Sequence, residues 1–194
     1  MASMGIAILI VALVASILAK AVKVVISSSW YKKSFALSQR DWANSISGVL
    51  DPLKRKLFED LEKHLKIVNG DVVEIGIGSG ANFDYYPRGT SLIAVDQNPH
   101  EEDLIKENLE KNGYRIRLKR FVVASCEDMS CTGKVGVEDN SVAAVVCTKL
   151  LCSLTDDQVN KTIQEVKRVL MPVSIVCFVL GVDVGGSIGL IRVG

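Results

Sequence analysis

A glycine-rich segment with an acidic residue ahead of it is the part of this 194-residue chain whose spacing most directly suggests chemistry. Residues 71–83 read DVVEIGIGSGANF, which places Glu74 two positions before the first of three alternating glycines. Gly76, Gly78 and Gly80 follow an apolar run, and glycine there lets the backbone turn sharply and approach a small ligand closely. The segment is either a ligand-binding loop or only a tight turn, and the three glycines directly after a strand favour the loop.

An acidic residue at the end of the following strand indicates which ligand such a loop would hold. Asp96 ends a second apolar run, 22 residues after Glu74, where a carboxylate can accept hydrogen bonds from ribose hydroxyls. Gly76, Gly78 and Ala81 also fit a dinucleotide fingerprint, but Glu74 beside a pyrophosphate would bring like charges together. S-adenosylmethionine carries an ammonium and a sulfonium and no phosphate, so it suits the acid. A nicotinamide-dependent oxidoreductase remains the weaker alternative.

Strand-like and helix-like patterns alternate around this loop. Strands are expected at 72–76, 91–97, 116–125, 142–148 and 173–180, and helices at 52–68, at 99–111 and after Thr155. Asp51-Pro52 reads as a helix start, because Asp caps helices and Pro is tolerated in the first turn. The run 142–148 is wholly apolar, as expected for a strand covered on both faces. The alternation predicts an α/β fold with a mainly parallel sheet.

The N-terminal part of the chain is apolar enough to associate with a membrane. Residues 4–19 carry no charge, Trp30 and Tyr31 follow, and Lys32 and Lys33 come next. This order of apolar body, aromatic pair and basic cluster is typical of a membrane anchor that leaves the rest of the chain in the cytosol. A cleaved signal peptide is disfavoured because no basic residue precedes the stretch, and a buried helix is disfavoured because all sides are apolar.

The composition limits the other function classes. The net charge is +1, so no overall field attracts nucleic acid and no nucleic-acid partner is expected. The five cysteines are an odd count without C-x-x-C spacing, so we expect reduced structural thiols and no metal.

Several stretches together resemble a known family. VVEIGIGSGANF followed by AVDQNP resembles the cofactor motifs of class I S-adenosylmethionine-dependent methyltransferases. RFVVASCEDM, VAAVVCTKLLCSL, EVKRVLMP and GANFDYYP, together with the N-terminal anchor, are similar to the membrane-anchored methyltransferase-like group of the methyltransferase type 11 superfamily. That group contains proteins of the endoplasmic reticulum and lipid droplets, alkyl thiol S-methyltransferases among them. The resemblance extends over roughly residues 57–172.

The resemblance implies a role for each matching residue. The cofactor-binding set would be Glu74, Gly76, Gly78, Gly80, Asp96, Gln97, Cys126, Glu127, Thr148 and Leu151. The glycines would lie under the methionine part, Glu74 would face its ammonium directly or through water, and Asp96 with Gln97 would meet the ribose. Cys126 and Glu127 would frame the adenine, although Ser125 stands where many relatives have Asp. Glu127 is equally well an exposed loop acid, and Thr148 and Leu151 are equally well packing residues. No catalytic base is identified.

The C-terminal part departs from the family pattern. Met171-Pro172 keeps the proline but lacks the glycine pair that follows it in relatives, and only about 15 residues follow the fifth strand. We therefore expect a Rossmann-like fold truncated after about the fifth strand, with residues enough for one further short strand. The missing hairpin exposes an apolar strand edge, which favours aggregation unless another segment covers it.

The chain is expected to comprise four segments. They are a hydrophobic membrane anchor at 1–35, an amphipathic helical lead-in at 36–70, an S-adenosylmethionine-binding domain at 71–180 and a divergent tail at 181–194. The expected function is methyl transfer to a small lipophilic acceptor such as a thiol, at the cytosolic face of the endoplasmic reticulum or a lipid droplet. The alternative is a membrane-anchored, catalytically inactive protein that only binds the cofactor.

Overall fold

One mainly parallel sheet forms the centre of the protein. The computed structural model describes residues 2–45, 47–130, 136–179 and 188–192. The strands are β1 (Asp71–Ile75), β2 (Ser91–Asp96), β3 (Arg117–Val123), β4 (Val142–Thr148), β5 (Leu170–Val179) and β6 (Ile188–Arg192). Their order across the sheet is β3-β2-β1-β4-β5-β6. The first five are parallel, and β6 runs antiparallel to β5.

The burial of each strand follows its place in the sheet. All seven residues of β4 and four of the five in β1 are buried, because both strands are central and covered on both faces. The edge strand β3 is largely accessible. The apolar run at 142–148 therefore has the bounds and the central position that its composition predicts.

Helices cover the two faces of the sheet unequally. They are α1 (Ala2–Ser27), α2 (Ser29–Ser45), α3 (Ser47–Leu65), α4 (Glu101–Lys111) and α5 (Asp156–Val169). Leu57 and Leu61 of α3 pack with Ile105 of α4 in one apolar cluster, while Val166 and Val169 of α5 belong to the cluster on the opposite face. The connection from β1 to β2 contains turns and no helix. The expected α/β fold with helices on both faces is confirmed.

The helix expected to begin at Pro52 begins earlier. Pro52 lies inside α3, where a proline costs roughly 3 kcal/mol because it lacks an N–H and crowds the carbonyl four residues before it. Leu50, in the turn before Pro52, is fully buried in the core. Its burial contributes roughly 1.5–3 kcal/mol, which offsets most of that cost and keeps this turn helical.

The fifth strand also begins earlier than its apolar pattern indicates. Leu170 follows α5 directly and pairs with Val142, whereas Ala144 pairs with Ile175. Extra residues of β5 therefore bulge between these pairs, and Val173 in the bulge has φ of +60° and is exposed. A bulge of this kind is not readable from hydrophobicity, because it depends on where the partner strand lies.

The apolar edge expected at β5 is covered. Strand β6 pairs with β5 from Ile175 opposite Arg192 to Val179 opposite Ile188. One short strand therefore covers residues 175–179 of the edge that would otherwise be exposed, and it pairs their backbone groups. The part of the 181–194 segment that the structure describes thus belongs to the sheet.

The N-terminal helices differ in character. Residues Ile10–Ser27 of α1 have a mean hydropathy of 2.2 and none of this stretch is buried, so by length and composition it is able to cross a membrane. Helix α2 is instead tied to the domain, because Ser29 bonds His100 and Asn98 donates to the Lys32 carbonyl. The expected division at residue 35 falls within α2.

Candidate active site

The glycine loop lies at the carboxyl end of β1. Gly76, Gly78 and Gly80 all have positive φ, at 64°, 53° and 80°. A Cβ on Gly80 would lie 2.4 Å from the ring of Phe83, so that glycine serves the packing of the turn. A Cβ on Gly78 would meet nothing within 4 Å, and it would project into the adjoining cavity. Within the motif, Gly78 therefore faces the cavity and Gly80 does not.

A cavity of about 880 Å³ lies between this loop, the carboxyl ends of β2 and β4, and helices α1 and α2. Seven of the ten residues expected to bind the cofactor line it, namely Gly76, Gly78, Asp96, Gln97, Cys126, Glu127 and Thr148. Glu74, Gly80 and Leu151 do not line it. Its volume falls in the range of small-molecule and cofactor sites.

Asp96 is held at the floor of the cavity by backbone donors. Its Oδ2 accepts a hydrogen bond from the Gly78 N–H at 3.0 Å and its Oδ1 accepts one from the Asn98 N–H at 2.9 Å. Burial raises the pKa of Asp96, while these backbone bonds oppose the rise. Each carboxylate oxygen keeps a further lone pair for an incoming hydroxyl.

A second acid shares this end of the cavity. Glu101, at the start of α4, is almost fully buried, and its Oε2 has no hydrogen-bond partner among the described residues. Burial, and then the nearby charge of Asp96, raise the pKa of Glu101 to about 7. An unsatisfied buried acceptor in a cavity is a position for a ligand donor. The sequence signal for Glu101 is its place in the first turn of the helix that follows the Asp96 strand.

Glu74 is buried behind the loop and does not face the cavity. Its Oε1 accepts from Asn82 Nδ2 at 2.6 Å and its Oε2 accepts from the Tyr86 hydroxyl at 2.8 Å. Burial raises the pKa of Glu74 to about 7, against the lowering effect of these two donors. Its position makes it a support for neighbouring side chains.

Asn82 lies between Glu74 and the cavity, and Glu74 orients its amide. Its Nδ2 also donates to Thr148 Oγ1 at 2.9 Å, while its buried Oδ1 has no partner within the described part of the chain. A carboxylate accepts and does not donate, so the contact with Glu74 fixes which way the amide points. Asn82 and Thr148 both line the cavity, and sequence reasoning did not identify Asn82.

The wall after β3 is bonded to helix α5. Glu127 accepts a hydrogen bond from Gln158 Nε2 at 2.7 Å, and Thr162 Oγ1 donates to the Cys126 sulfur at 3.4 Å. Gln158 is the N3 residue of the α5 capping box with Thr155, so the cap also fixes a cavity-lining side chain. Glu127 is therefore half-buried and oriented.

The segment after β4 places different residues from those expected. Leu151 begins a short 3₁₀ helix, Leu151–Ser153, and packs against the apolar cluster of the α5 face. Leu150 and Leu154 line the cavity in its place. A turn of unpredicted type decided which leucines face inward.

Four lysines also line the cavity, namely Lys23, Lys32, Lys54 and Lys149, and the last two lie on the domain side of it. Lys54 of α3 is only 3% exposed, and its Nζ lies 3.4 Å from the Ala81 carbonyl oxygen and 5.2 Å from the centre of the Tyr85 ring. Lys149, directly after β4, has φ of +59° and places its Nζ 4.6 Å from the centre of the Trp42 ring. The sequence pattern gave no reason to select either lysine.

The remaining wall comes from the N-terminal helices and is mainly apolar, with Lys23, Lys32 and Gln39 as its larger polar side chains. Val22 and Ile26 of α1 and Phe35 and Trp42 of α2 line the side of the cavity opposite the glycine loop. These side chains are about half exposed, so this side is the mouth of the cavity.

Comparison with known proteins identifies a domain family. The family model described as a methyltransferase domain matches residues 73–178. Among curated proteins, the chain is 38% identical over 131 residues to human thiol S-methyltransferase TMT1B and 37% identical over 120 residues to human TMT1A. These matches cover 66% and 61% of this chain and 50% and 46% of those proteins, so the chain spans about half the length of the curated relatives it matches.

Solved structures share the fold at low sequence identity. One described as a putative S-adenosyl-L-methionine-dependent methyltransferase from Methanococcus maripaludis has a TM-score of 0.57 and 18% identity, with 77% of this chain and 64% of that chain covered. A protein from Pyrococcus horikoshii OT3 has a TM-score of 0.51 and 21% identity, with 72% and 57% covered.

Proposed function

The chain belongs to the methyltransferase domain family, and from this premise we propose that it transfers a methyl group from S-adenosyl-L-methionine to a small lipophilic acceptor, a thiol in particular. The observation that carries the proposal is the cavity between the glycine loop and the apolar faces of α1 and α2. The floor of this cavity is polar and suits the cofactor. Its mouth is mainly apolar and suits a lipophilic acceptor.

The lining residues fit the cofactor in charge and in donor character. Asp96 and Glu101 provide carboxylate oxygens for the two ribose hydroxyls, and the unpartnered Oδ1 of Asn82 provides an acceptor for the ammonium. Glu74 supports this last contact by orienting Asn82, so its role is indirect. Glu127 and Cys126 frame the place of the adenine.

The cofactor supplies an activated methyl group on a positively charged sulfur. The chain has to hold the acceptor in line with that methyl and keep water away, and positioning of this kind accounts for much of the rate gain in bimolecular transfers. Thr148, buried and fixed by Asn82, lies at the carboxyl end of β4 beside the lysines. We assign this end of the cavity to the reacting groups.

The acceptor is proposed to be lipophilic because of the cavity mouth. Val22 and Ile26 lie within the stretch Ile10–Ser27 that is able to cross a membrane, so an acceptor dissolved in a bilayer reaches the cavity along α1. The names of the relatives, thiol S-methyltransferases, support a thiol as the reacting group.

We place the protein at the cytosolic face of an internal membrane, the endoplasmic reticulum or a lipid droplet. The supporting features are the exposed apolar stretch Ile10–Ser27 and the lysines at 32 and 33 that follow it. Basic residues beside an apolar helix favour the cytosolic side.

The test is methyl transfer by the full chain in lipid nanodiscs, measured as S-adenosylhomocysteine formed with alkyl thiols of increasing chain length. We expect kcat/KM to rise with chain length, and Val22→Asn to reduce that rise. Val24→Asn is the matched control, because Val24 is exposed on the same helix and does not line the cavity.

Two outcomes would contradict the proposal in different ways. Absence of cofactor binding by calorimetry would refute the cofactor assignment. Cofactor binding without transfer to any thiol would support the alternative of an inactive cofactor-binding protein.

A further inference from the structure

Two lysine ammonium groups lie at one end of the cavity without a carboxylate partner. Among the described residues, neither Lys54 nor Lys149 has a carboxylate oxygen within 4.0 Å of its Nζ. Within that described part, the Lys54 ammonium makes a single hydrogen bond, the 3.4 Å contact with the Ala81 carbonyl, and the Lys149 ammonium lies over the ring of Trp42. Both side chains line the cavity.

An almost fully buried ammonium without a counter-ion is unfavourable unless a ligand compensates it. Lys54 is 3% exposed, and the charges that act on it are those of Lys149, Glu74 and Asp51. The two oxygens of Glu74 accept hydrogen bonds from Asn82 and Tyr86, and those of Asp51 accept hydrogen bonds from Arg55 and Tyr85. The charge around Lys54 and Lys149 therefore favours an anion beside these two lysines.

We propose that Lys54 and Lys149 form an anion subsite that binds the acceptor thiol as its thiolate. This inference rests on the proposed function, and it assigns the residues that stabilise the ionised acceptor. The apolar wall supports a thiolate as the occupant, because Lys149 contacts Trp42 at the mouth through which a lipophilic acceptor passes. The sulfur then lies where the apolar wall and the two lysines meet.

Binding in this form moves one proton. The S–H bond of the thiol breaks and its proton passes to solvent, so that a thiolate lies beside the ammonium groups of Lys54 and Lys149. In molecules in which Lys54 is neutral, its amine takes this proton instead. No oxidant or other reagent is required.

The surroundings of both lysines make this exchange favourable. Burial, and then the charge of Lys149, lower the pKa of Lys54 to about 8, which brings it close to the pKa of a cysteine thiol. Burial also lowers the pKa of Lys149, against the effect of Cys152. The thiolate is the nucleophilic form of the acceptor, so its stabilisation matters directly for transfer.

The experiment measures ionisation of a bound thiol without turnover. The full chain in detergent is saturated with S-adenosylhomocysteine, the aromatic thiol 4-methoxybenzenethiol is added, and its thiolate absorbance is followed against pH. We expect the bound thiol to ionise at a pH lower by about one unit or more than the free thiol. Spectra of the protein without the probe correct for its own cysteines.

Variants separate charge from proton transfer. Lys54→Met removes the ammonium but keeps the stem, and it should return the ionisation of the bound thiol towards that of the free thiol. Lys54→Arg keeps the charge and should preserve the lowered value, although it cannot accept the proton. Lys56→Met is the control, because Lys56 lies exposed on the same helix.

Other outcomes overturn the inference. The anion could be the carboxylate of the cofactor, in which case Lys54→Met would weaken S-adenosylhomocysteine binding about tenfold or more and leave the bound thiol unchanged. Failure of the probe to bind, or an unchanged ionisation in Lys54→Met, would also refute it. Failure of the proposed function is distinct, since methyl transfer would then be absent whatever the titration shows.

Discussion

Replacing Tyr86 by Phe tests whether Glu74 is the buried, titrating support of the site. Tyr86 is fully buried, packs edge-on against Phe58 with ring centres 4.6 Å apart, and donates its hydroxyl to Glu74 Oε2 at 2.8 Å. Phenylalanine keeps the ring and removes only this donor. A hydrogen bond to a charged group contributes roughly 1.5–3 kcal/mol, and one between neutral groups roughly 0.5–1.5 kcal/mol.

The expected loss depends on pH because burial raises the pKa of Glu74 from 4.5 to about 7. A carboxyl whose pKa is higher in the folded than in the unfolded state binds its proton more tightly when folded, so stability falls as the pH rises between those two values. Removing the Tyr86 donor raises this pKa further, so the fall extends to higher pH. Tyr86→Phe should therefore lower the free energy of unfolding by about 1 kcal/mol near pH 5.5 and by about 2–3 kcal/mol near pH 8.5.

The measurement is urea unfolding of the full chain in non-ionic detergent, followed by circular dichroism at both pH values. Tyr85→Phe is the matched control, because the Tyr85 hydroxyl donates to Asp51, whose pKa is held below its usual value by Arg55 and then by Tyr85. Asp51 stays ionised throughout, so the control should show the same change at both pH values. An equal loss at both pH values in Tyr86→Phe would show that Glu74 does not titrate in this range and would refute the reasoning.

Three further predictions concern the cofactor, the loop and the anchor. Asp96→Asn should weaken S-adenosyl-L-methionine binding in calorimetry by roughly 1–3 kcal/mol, and unchanged affinity would remove Asp96 from the ribose site. Gly78→Ala and Gly89→Ala should strain the backbone similarly, since both glycines have positive φ and open space around the added Cβ, but only Gly78→Ala should reduce cofactor affinity. A fluorescent fusion of residues 1–35 should reach the endoplasmic reticulum or lipid droplets, and Leu13→Asp with Leu18→Asp should release it, at roughly 2.5–3.5 kcal/mol per charge at the helix centre. A diffuse unaltered fusion would contradict the anchor.

Local patterns account for the elements that the sequence predicts well. The wholly apolar run 142–148 became β4 without a change of bounds, and Thr155 caps α5 as expected, because burial on both faces and capping each depend on a few neighbouring residues. The glycine loop and Asp96 were found for the same reason, since glycine spacing and strand ends are readable along the chain.

Contacts between distant segments account for what was missed. Lys54 lies on α3 and looked like one charge among many on an amphipathic helix, but α3 turns it into the cavity beside the loop. Asn82 became a site residue only because Glu74 and Thr148, on two neighbouring strands, both bind its amide. Glu101 became one because burial near Asp96 left an oxygen without a partner.

The sequence by itself determined the α/β family fold, the cofactor class and the apolar character of the N-terminus, because these follow from periodicity, glycine spacing and composition. Only the tertiary structure decided that Glu74 points away from the cavity, that α2 closes over it and that β6 covers the β5 edge. The direction of a side chain and the partner of a strand depend on packing between residues far apart in the chain, and no local pattern encodes them.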